Sequence, residues 1–367
     1  MSPTVRPLPV PEPGPVPAPT RAPAPAPAPA PAPSTGTGAG GGTVTGTGCA
    51  PCHHGEILQG VFLDENGHRC AGLVTLPMAG PGTRAEFTPR PGTPPEVLTV
   101  VPADRTKAAR AAALAVAACA ERTGLPPCGG ELRLTGEVPV GLGMGSSTSD
   151  VIAAVRAVAD SYGLRMAPGT VARLSVRAEL ASDPLMLDDG RRPVLFAQRE
   201  GRVLEDLGAA LPPLVVVGCA LGGGAPVDTL SLPARDVDAV AAADVRAYER
   251  LRTLLRRAVA TGDAALLGEV ATASARRGQQ VLGHPEFDAL TAVARRTGAA
   301  GVQIAHSGAV AGVLFDPAAP GLRHCVHSCL RALDAHGIPA TRTFTTRATF
   351  TTRTGFTTHT TFTTRNP

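Results

Sequence analysis

Glu137-Val-Pro-Val-Gly-Leu-Gly-Met-Gly-Ser-Ser-Thr-Ser-Asp150 links a predicted strand to a predicted helix. The strand is Glu131–Val138, where apolar and polar residues alternate as on a half-buried sheet. Glycines at 141, 143 and 145 then allow tight backbone turns and close approach to a ligand. Ser146, Ser147 and Thr148 open a helix that runs to Tyr162. Unpaired N–H groups and the positive dipole end at a helix start favour phosphate, and hydroxyls add ligands for phosphate oxygen or magnesium. Other Gly-rich signatures do not fit. The dinucleotide fingerprint needs glycine where Ser146 stands, the P-loop needs a lysine that is absent here, and protein-kinase signatures are missing. The competing structural reading is a tight strand-to-helix turn with no ligand.

Working outward, Val61–Met78 reads as strands around the Asn66-Gly67 turn. Residues 105–122 form an Ala-rich helix closed by Gly124 and Pro126. Helices are expected at 169–181, 234–259, 263–282, 285–297 and 322–336. Strands are expected at 214–220 and, as a strand–Gly–strand unit, at 301–315. Strands and helices mixed in this order give an α+β chain.

Composition separates this core from both ends. Fourteen of the 37 prolines fall within the first 33 residues, and residues 34–48 are a Gly/Thr run. Neither stretch buries enough apolar surface to offset its ordering entropy, so 1–48 reads as a disordered segment and linker. Phe344, Phe350, Phe356 and Phe362 recur every six residues in a Thr/Arg background, and 341–367 reads as a low-complexity tail. Residues 1–48 carry a net charge of +1 and residues 341–367 +4, which leaves 49–340 at −1. A near-neutral core argues against a nucleic-acid surface. Eight cysteines are too dilute for a disulfide scaffold. With no signal peptide or membrane-length apolar run, the expectation is a cytoplasmic protein with reduced thiols and no membrane partner. Lys107 is the only lysine, so any lysine chemistry must use it.

The central segment resembles the second signature of the GHMP kinases, the small-molecule kinases named for galactokinase, homoserine, mevalonate and phosphomevalonate kinases. Pro139, Gly143, Gly145, Ser146 and Ser147 match that signature, with Met144 in its leucine place and Thr148 in its alanine place. The form Gly-Met-x-Ser-Ser-Thr-x-Asp is closest to the bacterial L-threonine kinase branch of cobamide synthesis. Cys49-Ala-Pro-Cys-His-His-Gly-Glu-Ile-Leu-Gln-Gly60 resembles the opening motif of that branch. Lys107-Ala-Ala-Arg-Ala-Ala resembles its lysine helix, and Gly301–Asp316, with Ala-His-Ser-Gly at 305–308, its third signature. The four matches occur in family order.

The resemblance implies a two-domain fold. A ribosomal S5 domain 2-like, ATP-binding domain would cover 49–205, and a ferredoxin-like domain 206–340. It implies ATP and magnesium as cofactors and a small-molecule hydroxyl as substrate. The phosphate-binding set would be Pro139, Gly141, Gly143, Met144, Gly145, Ser146, Ser147 and Thr148, joined by Ser307 and Gly308. Ser147 and Glu179 would ligate magnesium. Asp183, with Ser147, would be catalytic, Asp183 acting as a base or simply orienting the hydroxyl. Glu56, Gln59 and His306 would border the acceptor. The branch spaces its two acids by three residues, whereas Glu179 and Asp183 are four apart. Asp188 and Asp189 are therefore alternatives to Asp183. L-threonine is the first acceptor to consider. Homoserine or another biosynthetic alcohol, and a non-catalytic nucleotide- or metabolite-binding relative, remain open.

Two other patterns compete for the cysteines and histidines. Cys49-Ala-Pro-Cys-His53 fits a haem attachment, which needs export. Cys49, Cys52, His53 and His54 with His324, Cys325, His327 and Cys329 offer a zinc set, although the second group is spread around a helix. Buried thiols and surface histidines are the simpler expectation.

Overall fold

In the computed structural model, the structure describes residues 44–136, 138, 144–187, 191–222, 236–306 and 308–346. Outside this set lie the N-terminal 43 residues, residues 223–235, the tail from 347, and, among the residues named above, Glu137, Pro139, Gly141, Gly143, Asp188, Asp189 and Ser307.

The chain begins with a long hairpin, β1 (Gly46–Leu63) and β2 (Arg69–Pro89), turning at Asn66-Gly67 as the sequence predicts. There follow β3 (Leu98–Val101), α1 (Thr106–Thr123), β4 (Gly130–Gly136), α2 (Ser146–Ser161) and α3 (Pro168–Glu179). A 3-10 turn at Pro184–Met186 leads to β5 (Val194–Ala197) and β6 (Arg202–Asp206). The second half is β7 (Val215–Ala220), α4 (Ala242–Thr261), α5 (Ala264–Leu282), α6 (Phe287–Arg296), β8 (Gly301–Ile304), β9 (Val310–Phe315), α7 (Leu322–Ala335) and β10 (Ala340–Thr345). The expected division near 205/206 falls at the end of β6.

The strand order β10-β7-β9-β8-β1-β2-β4-β3 runs through both halves. Only β3 and β4 pair in parallel along this path; the other neighbours are antiparallel. In the second half, β7, β8, β9 and β10 with their helices form a β-α-β-β-α-β unit, the ferredoxin-like arrangement. The seam between the halves is one pair, Glu56 against Ile304. A signature glutamate therefore stands where the two halves join. In the first half α1, α2 and α3 bury small apolar residues, with Ile152 of α2, against the sheet around Phe87 and Leu132. In the second, α5, α6 and α7 pack on Val217, Val302, Val313 and Phe315.

Both ends of the ordered chain differ from expectation. β1 starts at Gly46, inside the stretch read as linker. A Cβ at Gly48 would lie 2.2 Å from the Ala153 carbonyl oxygen, so glycine there lets β1 press directly onto α2. β10 lies inside the stretch read as tail, where its Thr/Arg background masked the pattern. It supplies the fourth strand of the ferredoxin-like unit and pairs Phe344 with Val216. The Phe344 ring packs against His54, centroids 5.1 Å apart. The helix expected from 234 begins only at Ala242. β3, β5 and β6 are too short to show a period. No helix among the described residues is long and apolar enough to cross a membrane.

Candidate active site

The site gathers at the first turn of α2. Gly145 precedes it in the left-handed region (φ +67°), a conformation glycine adopts without strain. The Met144 carbonyl accepts the His53 backbone N–H at 3.2 Å, while the Met144 side chain is buried with Cys52, Met78 and Val138. Ser147 Oγ donates to Glu179 Oε2 at 3.1 Å, and Thr148 Oγ1 to Glu179 Oε1 at 2.9 Å. Ser146 is buried in the same turn. Beside the loop, Arg105, Leu134, Gly136, Val138 and Asp150 line a cavity of about 240 Å³. Asp150 anchors its floor, with Arg105 Nε at 3.1 Å and the Thr83 hydroxyl donating at 2.5 Å.

The four-residue spacing of Glu179 and Asp183 is absorbed by the backbone. α3 ends at Leu180 in the left-handed region (φ 69°), uncommon for a residue with a side chain. The chain then reverses, and Asp183 stands just before the Pro184 turn. Both carboxylates are buried and face one cluster. Burial first, and then repulsion from Asp183, push the Glu179 carboxyl up to about 8, against the Thr148 and Ser147 hydrogen bonds and the Lys107 charge. The single lysine of the chain, near the start of α1, thus lies within electrostatic reach of this carboxylate.

Asp183 behaves oppositely. Burial disfavours its charge, but the His53 imidazole outweighs burial and holds the carboxyl down at about 2. His53 Nε2 is 3.0 Å from Asp183 Oδ2, and its Nδ1 is 3.1 Å from the Gly55 carbonyl oxygen. At the seam, Glu56 uses both oxygens on His306. One accepts the backbone N–H at 2.7 Å and the other faces Nδ1 at 3.1 Å. Desolvation opposes protonation of His306, yet Glu56 prevails and raises the imidazole to about 9. Glu56 therefore lies beneath His306, whose ring is 37 % exposed. Gln59 is half-buried, donating its backbone N–H to Ser274 Oγ and its side-chain amide to the Ile304 carbonyl. Gly308, at φ +80°, closes the β8–β9 turn by donating to the Ala305 carbonyl.

Sequence reasoning weighed His53 only as a haem or zinc ligand, and expected surface histidines. His53 and His54 are instead fully buried. Burial also pushes His54 down to about 3, keeping it neutral, and pushes the Cys52 thiol up to about 12. Cys49 is exposed. Among the described residues, the group of potential metal ligands that converges is His53, Glu56 and Asp183, with no cysteine in it. Nothing local in the sequence marks the His53–Asp183 pair, which spans 130 residues.

Ser147 and Glu179 together fit magnesium. A hydroxyl and a carboxylate oxygen lie side by side, the hard donors that ion prefers, and the buried carboxylate lacks a cation bonded to it among its described partners.

Residues 108–186 match the family model for the GHMP kinases N-terminal domain, and residues 254–328 that for the GHMP kinases C-terminal region. An L-threonine kinase from Citrobacter freundii is 30% identical over 183 residues, 49% of this chain and 60% of that protein. The homoserine kinase structure from Cytophaga hutchinsonii superposes with a TM-score of 0.58 at 17% identity, covering 82% of this chain and 94% of that one. Streptococcus pneumoniae phosphomevalonate kinase, in complex with phosphomevalonate and AMPPNP, gives 0.57 at 14% identity, covering 82% and 99%. Two family models matched in order show that this chain carries GHMP kinase N- and C-terminal domains, and the solved structures share its fold.

Proposed function

We propose that the protein is an ATP-dependent kinase that phosphorylates an aliphatic hydroxyl of a small molecule, with L-threonine as acceptor and O-phospho-L-threonine as product. The observation that carries the chemistry is the convergence of Ser147, Thr148, Glu179 and Asp183 at the start of α2. Phosphoryl transfer asks mainly for positioning and charge neutralisation, and this cluster offers both. The choice of acceptor rests on the match to the L-threonine kinase of Citrobacter freundii, of which this chain spans 60%.

In this reading the N–H groups at the start of α2 hold the phosphates, and the 240 Å³ cavity takes the nucleoside end. Ser147 and Glu179 would hold magnesium, which when bound would neutralise phosphate charge. Lys107 adds positive charge from α1. Asp183 accepts a hydrogen bond from the acceptor hydroxyl and aims its oxygen at the γ-phosphorus. The new P–O bond forms as the bond to ADP breaks, and the hydroxyl proton leaves to solvent. His306, held by Glu56, presents its Nε2 side toward the acceptor.

An ADP-release assay with L-threonine, L-serine, L-homoserine and mevalonate tests the reading. L-threonine should give the highest kcat/KM. ATP binding with no acceptor-dependent ADP would leave a non-catalytic binding protein instead.

A further inference from the structure

His53 is fixed on four sides. Its backbone N–H bonds the Met144 carbonyl of the phosphate loop. Its ring packs so closely on Gly145 that an added Cβ there would lie 2.3 Å from Cδ2. Its two ring nitrogens meet the Gly55 carbonyl and the Asp183 carboxylate. A carbonyl oxygen can only accept, so Nδ1 carries a hydrogen. An ionised carboxylate can only accept too, so Nε2 also carries one. The alternative, a neutral ring beside a protonated Asp183, moves the proton from the stronger base to the weaker.

We propose that His53 is a positioning residue, an imidazolium whose two N–H groups bridge the Gly55 carbonyl and the Asp183 carboxylate, so that Asp183 stays aimed and orients the acceptor rather than removing its proton. The surrounding charges agree. Asp183 and Glu56 favour the cation against burial and against His306, and the net direction for His53 is upward. His54, the next residue, is driven the other way, partly by the charge on His53 itself. A carboxylate in a buried pair with imidazolium is a poor base near neutral pH. Its remaining use is to hold the hydroxyl in line, while the proton departs to solvent as the P–O bond forms. The charge state of His53 stands apart from the kinase reading; the role given to Asp183 in transfer rests on it.

The test uses the full chain with ¹⁵N-labelled histidine. NMR at pH 8 should show an imidazole with both nitrogens protonated that disappears in His53→Gln, beside the His306 signal, which survives that substitution. The His53 ring should become neutral in Asp183→Asn. In kinetics, His53→Gln should cut kcat about 100-fold through misaligned attack, with KM for ATP little changed. His53→Lys, which restores a cation, should recover part of that loss. A neutral His53 ring in the native protein at pH 7 overturns the proposal, whether or not kinase activity is found. Equal kcat in His53→Gln and the parent overturns the positioning role.

Discussion

Ser147 Oγ and Glu179 Oε2 lie 3.1 Å apart, tying the first turn of α2 to the last residue of α3. If this pair holds magnesium, Ser147→Ala should weaken magnesium activation by about 10-fold or more, with ATP titrations at fixed free magnesium as the readout. Glu179→Gln should lower kcat strongly. The same substitution should stabilise the protein in the absence of divalent cation. The Glu179 carboxyl is raised to about 8 when folded, so the folded state binds the extra proton. Stability from that proton is full below about 4.5 and is lost as pH rises toward 8. Glu179→Gln avoids this loss, and thermal scans in EDTA should show a Tm gain of about 5 °C at pH 8 that vanishes near pH 5.

The Glu56–His306 pair has the same sign in a higher pH window. His306 is raised to about 9, so its contribution is complete below its ordinary value near 6.5 and disappears as pH rises through 9. Urea denaturation of the parent should show a fall in stability across that interval. In Glu56→Gln the fall should be smaller, because His306 no longer gains a partner.

Gly145→Ala combines two costs. The left-handed backbone adds about 1 kcal/mol of strain, and the new methyl meets the buried His53 ring. The ring has to move off Asp183, so kcat should fall far more than Tm. Parallel calorimetry and initial-rate measurements separate the two.

Phe344→Ala tests whether β10 belongs to the fold. Losing the ring over His54 and its share of the core should cost about 2 kcal/mol in urea unfolding. Amide exchange in β7, which β10 covers, should quicken in the same variant.

What the sequence made legible was local. The α2 start could be found because glycines and hydroxyls stand together at 143–148, and α1, α2, α3 and α5 carry their own periods and end signals. Long-range facts were not legible. His54 is covered by Gln303, Gly312 and Phe344 from β8, β9 and β10, and His53 by Gly145 and Asp183, contacts that no window of residues contains. The strand role of Ala340–Thr345 was hidden by its Thr/Arg composition and by its likeness to the repeats after it. The altered Glu179–Asp183 spacing looked like a mismatch because the reversal at Leu180 cannot be read from an apolar residue with no turn preference.

The central claim is transfer of a phosphoryl group to a small hydroxyl at the α2 site. Phosphorus NMR of the purified full chain with ATP, magnesium and L-threonine tests it most directly. The account predicts that the ATP γ-phosphate signal is replaced by that of O-phospho-L-threonine, and that Asp183→Asn slows the exchange sharply. ATP left intact with every hydroxyl acceptor offered, by folded protein that binds the nucleotide, would contradict it.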